Sequence, residues 1–259
     1  MTILHTIIMG IVEGITEFLP VSSTAHLEIA QNLLRIPESD FIKSFEIAIQ
    51  LGAILAVVVL YGKKLFSSMV YMKKILIAFI PTGIVGFILY KFIKTFLLGN
   101  LFIAASMLLL GGIVILFFEH RQKTKIEDSV SRTIESLTTK ELIILGLAQS
   151  LAVIPGVSRS AAVIIAGRVM DMPKVLIVEF SFFLAIPTMI AATGYDLLKS
   201  GVAFSGSEWG SLCWGFIVAF IVAFFVIKWL LEYIRKHSFS IFGWYRMLIS
   251  LIILAFLIH

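Results

Sequence analysis

Glu13 and Glu17 stand four residues apart in an otherwise apolar run, and on a helix that spacing places both carboxylates on one face. Together they can hold a divalent cation, Mg2+ or Ca2+, through oxygen ligands, or one can act as a base. The alternative is that they pair with Arg159 or with lysines as ion pairs that hold the fold. Proline 20 then breaks the run, and the chain restarts at Ser22, Ser23 and Thr24, whose hydroxyls and free N–H groups make the start of a helix an anion site. His26 lies three residues beyond Ser23, on the same helical face, and is expected within proton-exchange reach of its hydroxyl. Singly, a serine at a helix start is an N-cap and a histidine a hydrogen-bonded core residue; the combination is more specific than either.

The device recurs in the stretch AVIPGVSRSAAVI, residues 152–164, where a Pro-Gly break precedes Ser158, Arg159 and Ser160. A guanidinium donates in pairs to phosphate oxygens, and Arg159 is expected to be the one basic residue inside the membrane rather than at its edge. Carboxylates for a cation, hydroxyls and an imidazole for transfer, and an arginine between two helix starts make a phosphate or diphosphate site. A lipid-borne substrate follows if that site lies in a membrane.

The elements that position these groups are membrane helices. Of the 259 residues, 59% are hydrophobic and 14% charged, against about a quarter charged in soluble domains. Apolar segments run over 3–19, 22–34, 45–61, 75–90 and 101–118, then 142–154, 158–167, 176–195, 209–231 and 244–258. The hydrophilic stretch 120–140 joins the halves, about 1–119 and 141–259, of a single membrane domain. In each half the first two segments are too short to span, so each pair is expected to form a re-entrant hairpin whose tip is buried in protein or faces a water-filled cavity. The expected fold is thus an all-α integral membrane protein with six transmembrane helices and two re-entrant hairpins.

Three crossings per half make the halves an inverted repeat. Laying Gly10 on Gly146 also lays Glu13 on Gln149, Ser22 on Ser158, Thr24 on Ser160 and Ala25 on Ala161; a second echo lays Glu46 on Glu179. Most basic residues, among them Lys63, Lys64, Lys73, Lys74, the linker's Lys123 and Lys125, Arg168, Arg235 and Arg246, fall on one side of the crossings. That side is expected in the cytoplasm, with both termini and the first hairpin facing outward. Topology therefore accounts for the net charge of +5, and no nucleic-acid partner is needed. Cys213 reads as a buried, inert thiol, Glu28, Glu232 and His237 as interfacial, and Trp244 and Tyr245 as interface anchors or packing residues. Glu46, Gln50 and Glu179 read as inter-helix hydrogen-bonding groups.

EGITEFLPVSSTAH and PGVSRS, with FEIAIQLGAILAVV and EFSFFLAIP, resemble the undecaprenyl-diphosphate phosphatase family of the bacitracin-resistance type over essentially the whole chain. The resemblance implies hydrolysis of undecaprenyl diphosphate to the monophosphate and phosphate, with a divalent cation, at the outer side of the bacterial plasma membrane. Its functional residues would fall on Glu13, Glu17, Ser22, Ser23, Thr24, His26, Ser158 and Arg159. The roles expected here are Glu13 and Glu17 on the cation, Ser23 as nucleophile and His26 as its proton shuttle. Arg159, with Ser22, Thr24, Ser158 and Ser160 around the helix starts, would bind the diphosphate. The family commonly has glycine where this chain has Ala25 and Ala161, and threonine at Val163. The competing reading is a transporter or flippase of the lipid monophosphate; an ion channel accounts poorly for serine and histidine beside arginine. The sequence leaves a homodimer open.

Overall fold

The computed structural model describes residues 1–122, 132–200 and 205–258; residues 123–131, the middle of the linker with Lys123 and Lys125, lie outside them. All regular structure among the described residues is helical. In chain order the helices are α1 (Ile3–Thr16), α2 (Ser23–Leu33), α3 (Asp40–Phe66), α4 (Met69–Phe92), α5 (Leu101–Gln122), α6 (Thr139–Ser150), α7 (Arg159–Val169), α8 (Lys174–Ser200), α9 (Gly206–Lys236) and α10 (Ser240–Ile258). Six of them, α3, α4, α5, α8, α9 and α10, are long and apolar enough to cross a bilayer. The other four have 11 to 14 residues. At a rise of 1.5 Å per residue they reach about 17–21 Å, short of the roughly 30 Å hydrocarbon core.

Local chemistry sets the boundaries. Ser39 and Ser158 accept from backbone N–H groups as N-caps, and Thr138 with Glu141 forms a capping box at α6. Pro20 and the Pro155–Gly156 pair stand in the connections α1–α2 and α6–α7, whereas Pro81 and Pro187 are accommodated inside long helices.

In a bilayer, helices associate by close packing more than by exclusion from water, so glycine marks where backbones meet. A Cβ on Gly10 would stand 2.9 Å from the Gly215 carbonyl oxygen of α9, and one on Gly146 would stand 2.0 Å from that of Ala78 in α4. Gly10 and Gly146 are the two residues superposed by the internal echo. Their helices find corresponding partners: α1 packs on α9 as α6 packs on α4, and α3 meets α8 as α5 meets α10.

Three of the basic residues expected on one side hold partners within the protein. Lys64 pairs with Glu179 at 2.6 Å, Lys74 donates to the carbonyls of Glu135 and Leu137, and Arg132 pairs with Glu141 at 2.6 Å. Arg246 departs from that expectation. It is buried inside the bundle, 1% exposed, so it leaves the boundary set and overturns the expectation that Arg159 alone lies within.

Candidate active site

The C-terminal halves of α4 and α8 line a cavity of ≈ 410 Å³ with Glu17, Ser23 and Arg159 at its foot and Lys43, Tyr90 and Asp196 also on its wall. Phe79, Phe87, Met189 and Tyr195 line the apolar stretch between.

At the foot the two halves of the chain meet in a hydrogen-bonded relay. Ser23 Oγ donates to Glu17 Oε2, and Arg159 Nη2 donates to Glu17 Oε1 at 3.1 Å. Arg159 Nη1 donates to the Ser181 carbonyl at 2.7 Å, while its Nε, also buried, has no acceptor. The ion-pair alternative is thus realised for Glu17, within the site. Glu13 is fully buried, does not line the cavity, and among the described residues neither of its carboxylate oxygens meets a donor.

The two helix starts differ. Ser158 accepts from Ala161 N–H at 3.2 Å and its hydroxyl lies 3.0 Å from that of Ser160, which donates to the Leu19 carbonyl at 2.9 Å. Ser22 instead has φ 73°, a region non-glycine residues rarely occupy, and makes no side-chain cap to α2. The first N–H groups of α2 are therefore left uncapped where Ser22, Ser23 and Thr24 line the cavity.

Ser23 and His26 do not meet as expected. The imidazole folds back so that Nδ1 lies 2.7 Å from the Ser22 carbonyl, and Nε2 lies 2.9 Å from the Tyr245 hydroxyl, with the rings stacked at 5.6 Å. A carbonyl only accepts, so Nδ1 carries the proton, and in the neutral imidazole Nε2 then accepts from Tyr245. Glu17, one residue beyond the helical part of α1, takes the place on Ser23 expected of His26.

Other departures follow from packing. Glu28, expected as interfacial, is buried within the protein: it is 3% exposed, accepts from Gly99 N–H in the α4–α5 connection at 3.0 Å and borders the cavity. Tyr245, expected as an anchor or a packing residue, packs on His26 and bonds it, and Cys213, expected buried, is exposed. Gln149, the echo of Glu13, donates to Thr82 at 3.1 Å and Thr188 at 2.9 Å beside the cavity. Val163 is buried in the apolar core, and Ala25 packs with Ala104 and Leu108.

Such a fold and site define an all-α integral membrane protein with a buried serine, carboxylate and arginine relay at the foot of an apolar cavity. The chain belongs to the family described as bacitracin resistance protein BacA, whose profile matches residues 6–252. It is 50% identical to the undecaprenyl-diphosphatase of Aquifex aeolicus over 99% of both chains. It is 49% identical to that of a Sulfurihydrogenibium species, over 97% of this chain and 98% of the other, and 46% identical to that of Wolinella succinogenes over 99% of both.

Proposed function

We propose that this protein hydrolyses undecaprenyl diphosphate to undecaprenyl phosphate and inorganic phosphate, which would underlie bacitracin resistance. The observation that carries the reaction chemistry is the hydrogen bond from Ser23 to Glu17, itself held by Arg159. Ser23 Oγ attacks the terminal phosphorus and passes its proton to Glu17 as the O–P bond forms and the bridging P–O bond breaks. Lipid monophosphate leaves. Glu17 hands its proton to the departing lipid phosphate, accepts another from the water that attacks the phosphoserine, and returns it to Ser23 Oγ as phosphate is released. Arg159 and the uncapped N–H groups of α2 hold the phosphoryl oxygens, whose charge dominates such transfers. Ser158 lines the facing wall, Ser160 supports it from outside the cavity lining through the Ser158 hydroxyl and the Leu19 carbonyl, and His26 holds the Ser22 carbonyl and so the unusual backbone that leaves α2 open.

A divalent cation fits the acidic pair. The donorless oxygens of buried Glu13, one turn from Glu17, match an oxygen-ligated ion. Among the described residues no group of three or more His, Cys, Asp or Glu side chains forms a metal site, so two carboxylates are the protein's share. That suits Mg2+, which keeps water and phosphate oxygens as its remaining ligands. Bound there, the ion would neutralise phosphate charge.

The short helices α1, α2, α6 and α7 form two re-entrant hairpins of an inverted repeat, supported by their lengths and matched packing partners. With the basic end cytoplasmic, the cavity opens outward and both termini lie outside. In this orientation the apolar stretch of the cavity takes the first prenyl units and the foot takes the diphosphate.

Phosphate release from long-chain polyprenyl diphosphate by purified protein tests the proposal. Release dependent on Ser23 and lost with chelator is expected; no release, with lipid monophosphate crossing sealed vesicles instead, would favour the transporter.

A further inference from the structure

We propose that Arg246 is a positioning residue for this reaction: its guanidinium fixes the tips of the two hairpins against each other and thereby sets Ser23 against Arg159. This rests on the hydrolytic reading above, but on different residues.

Arg246 Nη1 donates to the Pro20 carbonyl at 3.0 Å, and Nη2 donates to the Gly156 carbonyl at 2.8 Å. Pro20 lies three residues before Ser23, and Gly156 three before Arg159. One planar cation therefore binds equivalent points of both tips. The remaining bonds, Nε to Leu108 O at 3.3 Å and Nη2 to Met107 O at 3.2 Å, fasten the same group to α5.

Among the described residues every bond of Arg246 goes to a backbone carbonyl, and no carboxylate lies within ion-pair distance of it. A buried cation kept without an anion is costly, and tip carbonyls outside any helix are equally in need of donors. Each requirement meets the other. Arg246 does not line the cavity, so it acts through the tips rather than on substrate.

The surroundings are shaped around it. A Cβ on Gly111 would stand 2.0 Å from Arg246 Nη2 and 2.7 Å from Cζ. The preceding residue, Tyr245, bonds His26 at 2.9 Å, so adjacent residues of α10 grip the first hairpin at its tip and beyond Ser22. Lysine cannot reproduce the arrangement, because a single ammonium lacks the fork that reaches carbonyls in different directions.

The test compares Arg246→Lys and Gly111→Ala with the wild type, the second variant displacing the guanidinium without removing it. The readout is the single-turnover rate constant with polyprenyl diphosphate at saturating enzyme, which is independent of the fraction of protein folded. Misplacement of reacting groups by about an ångström costs up to about 10²-fold, so a fall of at least roughly tenfold is expected in both variants, with half-saturation within about threefold. A wild-type rate constant in either folded variant overturns the proposal. Failure of both to fold would assign Arg246 to folding alone and also overturn it. Absence of turnover in the wild type would instead sink the hydrolytic reading on which it rests.

Discussion

Arg159 donates to Glu17 at 3.1 Å, joining the two halves of the chain between side chains that are 7% and 3% exposed. Breaking a buried ion pair by removing one partner costs about 3–5 kcal/mol, because the other charge is left behind. Arg159→Met is therefore expected to lower stability by about 3 kcal/mol, and adding Glu17→Gln to recover part of it without restoring activity. Thermal unfolding of the two single variants and the double variant checks the coupling; strict additivity would remove it.

Arg159→Lys keeps the charge but loses the fork that serves Glu17 and the Ser181 carbonyl and, in the proposed reaction, a phosphate oxygen. Phosphate release is expected to fall about 10²-fold while the thermal midpoint shifts far less than in Arg159→Met. Near wild-type turnover in a steady-state assay would take phosphate binding away from this residue.

Glu141 offers a pH test outside the membrane helices. Partial burial works to raise its carboxyl, but hydrogen bonds from Arg132 and from Thr138 outweigh it and hold the group below the ordinary carboxylate range. A depressed folded value contributes stability above the unfolded value near 4.3 and loses it as pH falls through the folded one. Glu141→Gln is expected to cost about 0.5–1 kcal/mol at pH 7, and the difference from wild type should shrink as pH falls below the unfolded carboxylate value. Unfolding midpoints across that range decide it; a pH-independent difference would assign the cost to packing.

The close helix contacts make a fourth prediction. Gly146→Ala forces a methyl within 2.0 Å of the Ala78 carbonyl, whereas a Cβ on Gly86 meets nothing within 4 Å. The first substitution should destabilise by about 1–3 kcal/mol and the second leave the midpoint unchanged or slightly higher. Equal midpoints would contradict the α4–α6 approach.

Much of this was legible in the sequence because burying charge in apolar runs is costly enough to mark function. The ten apolar segments correspond to the ten helices, and Ser23, Glu17 and Arg159, picked out by type and spacing, converge at one cavity foot. What escaped depends on contacts between distant elements. Arg246 sits early in its helix, where spacing alone assigns a basic residue to the interface; its inward path exists only because Gly111 and Gly112 of another helix leave room. The signal was a lone arginine within an apolar helix, paired with a Gly-Gly step 135 positions earlier. His26 shares a helical face with Ser23 by count, but the turned backbone at Ser22 presents a carbonyl to the imidazole, and Tyr245 on α10 fixes its far side.

The identity of the atom that attacks phosphorus is tested most directly by rapid acid quench of the purified protein during turnover of labelled polyprenyl diphosphate, followed by mapping of the trapped phosphate. The expected result is an acid-stable phosphoserine at Ser23, absent in Ser23→Ala, whose phosphate release falls by about 10³-fold or more. An acid-labile adduct on His26 that persists in Ser23→Ala would contradict it.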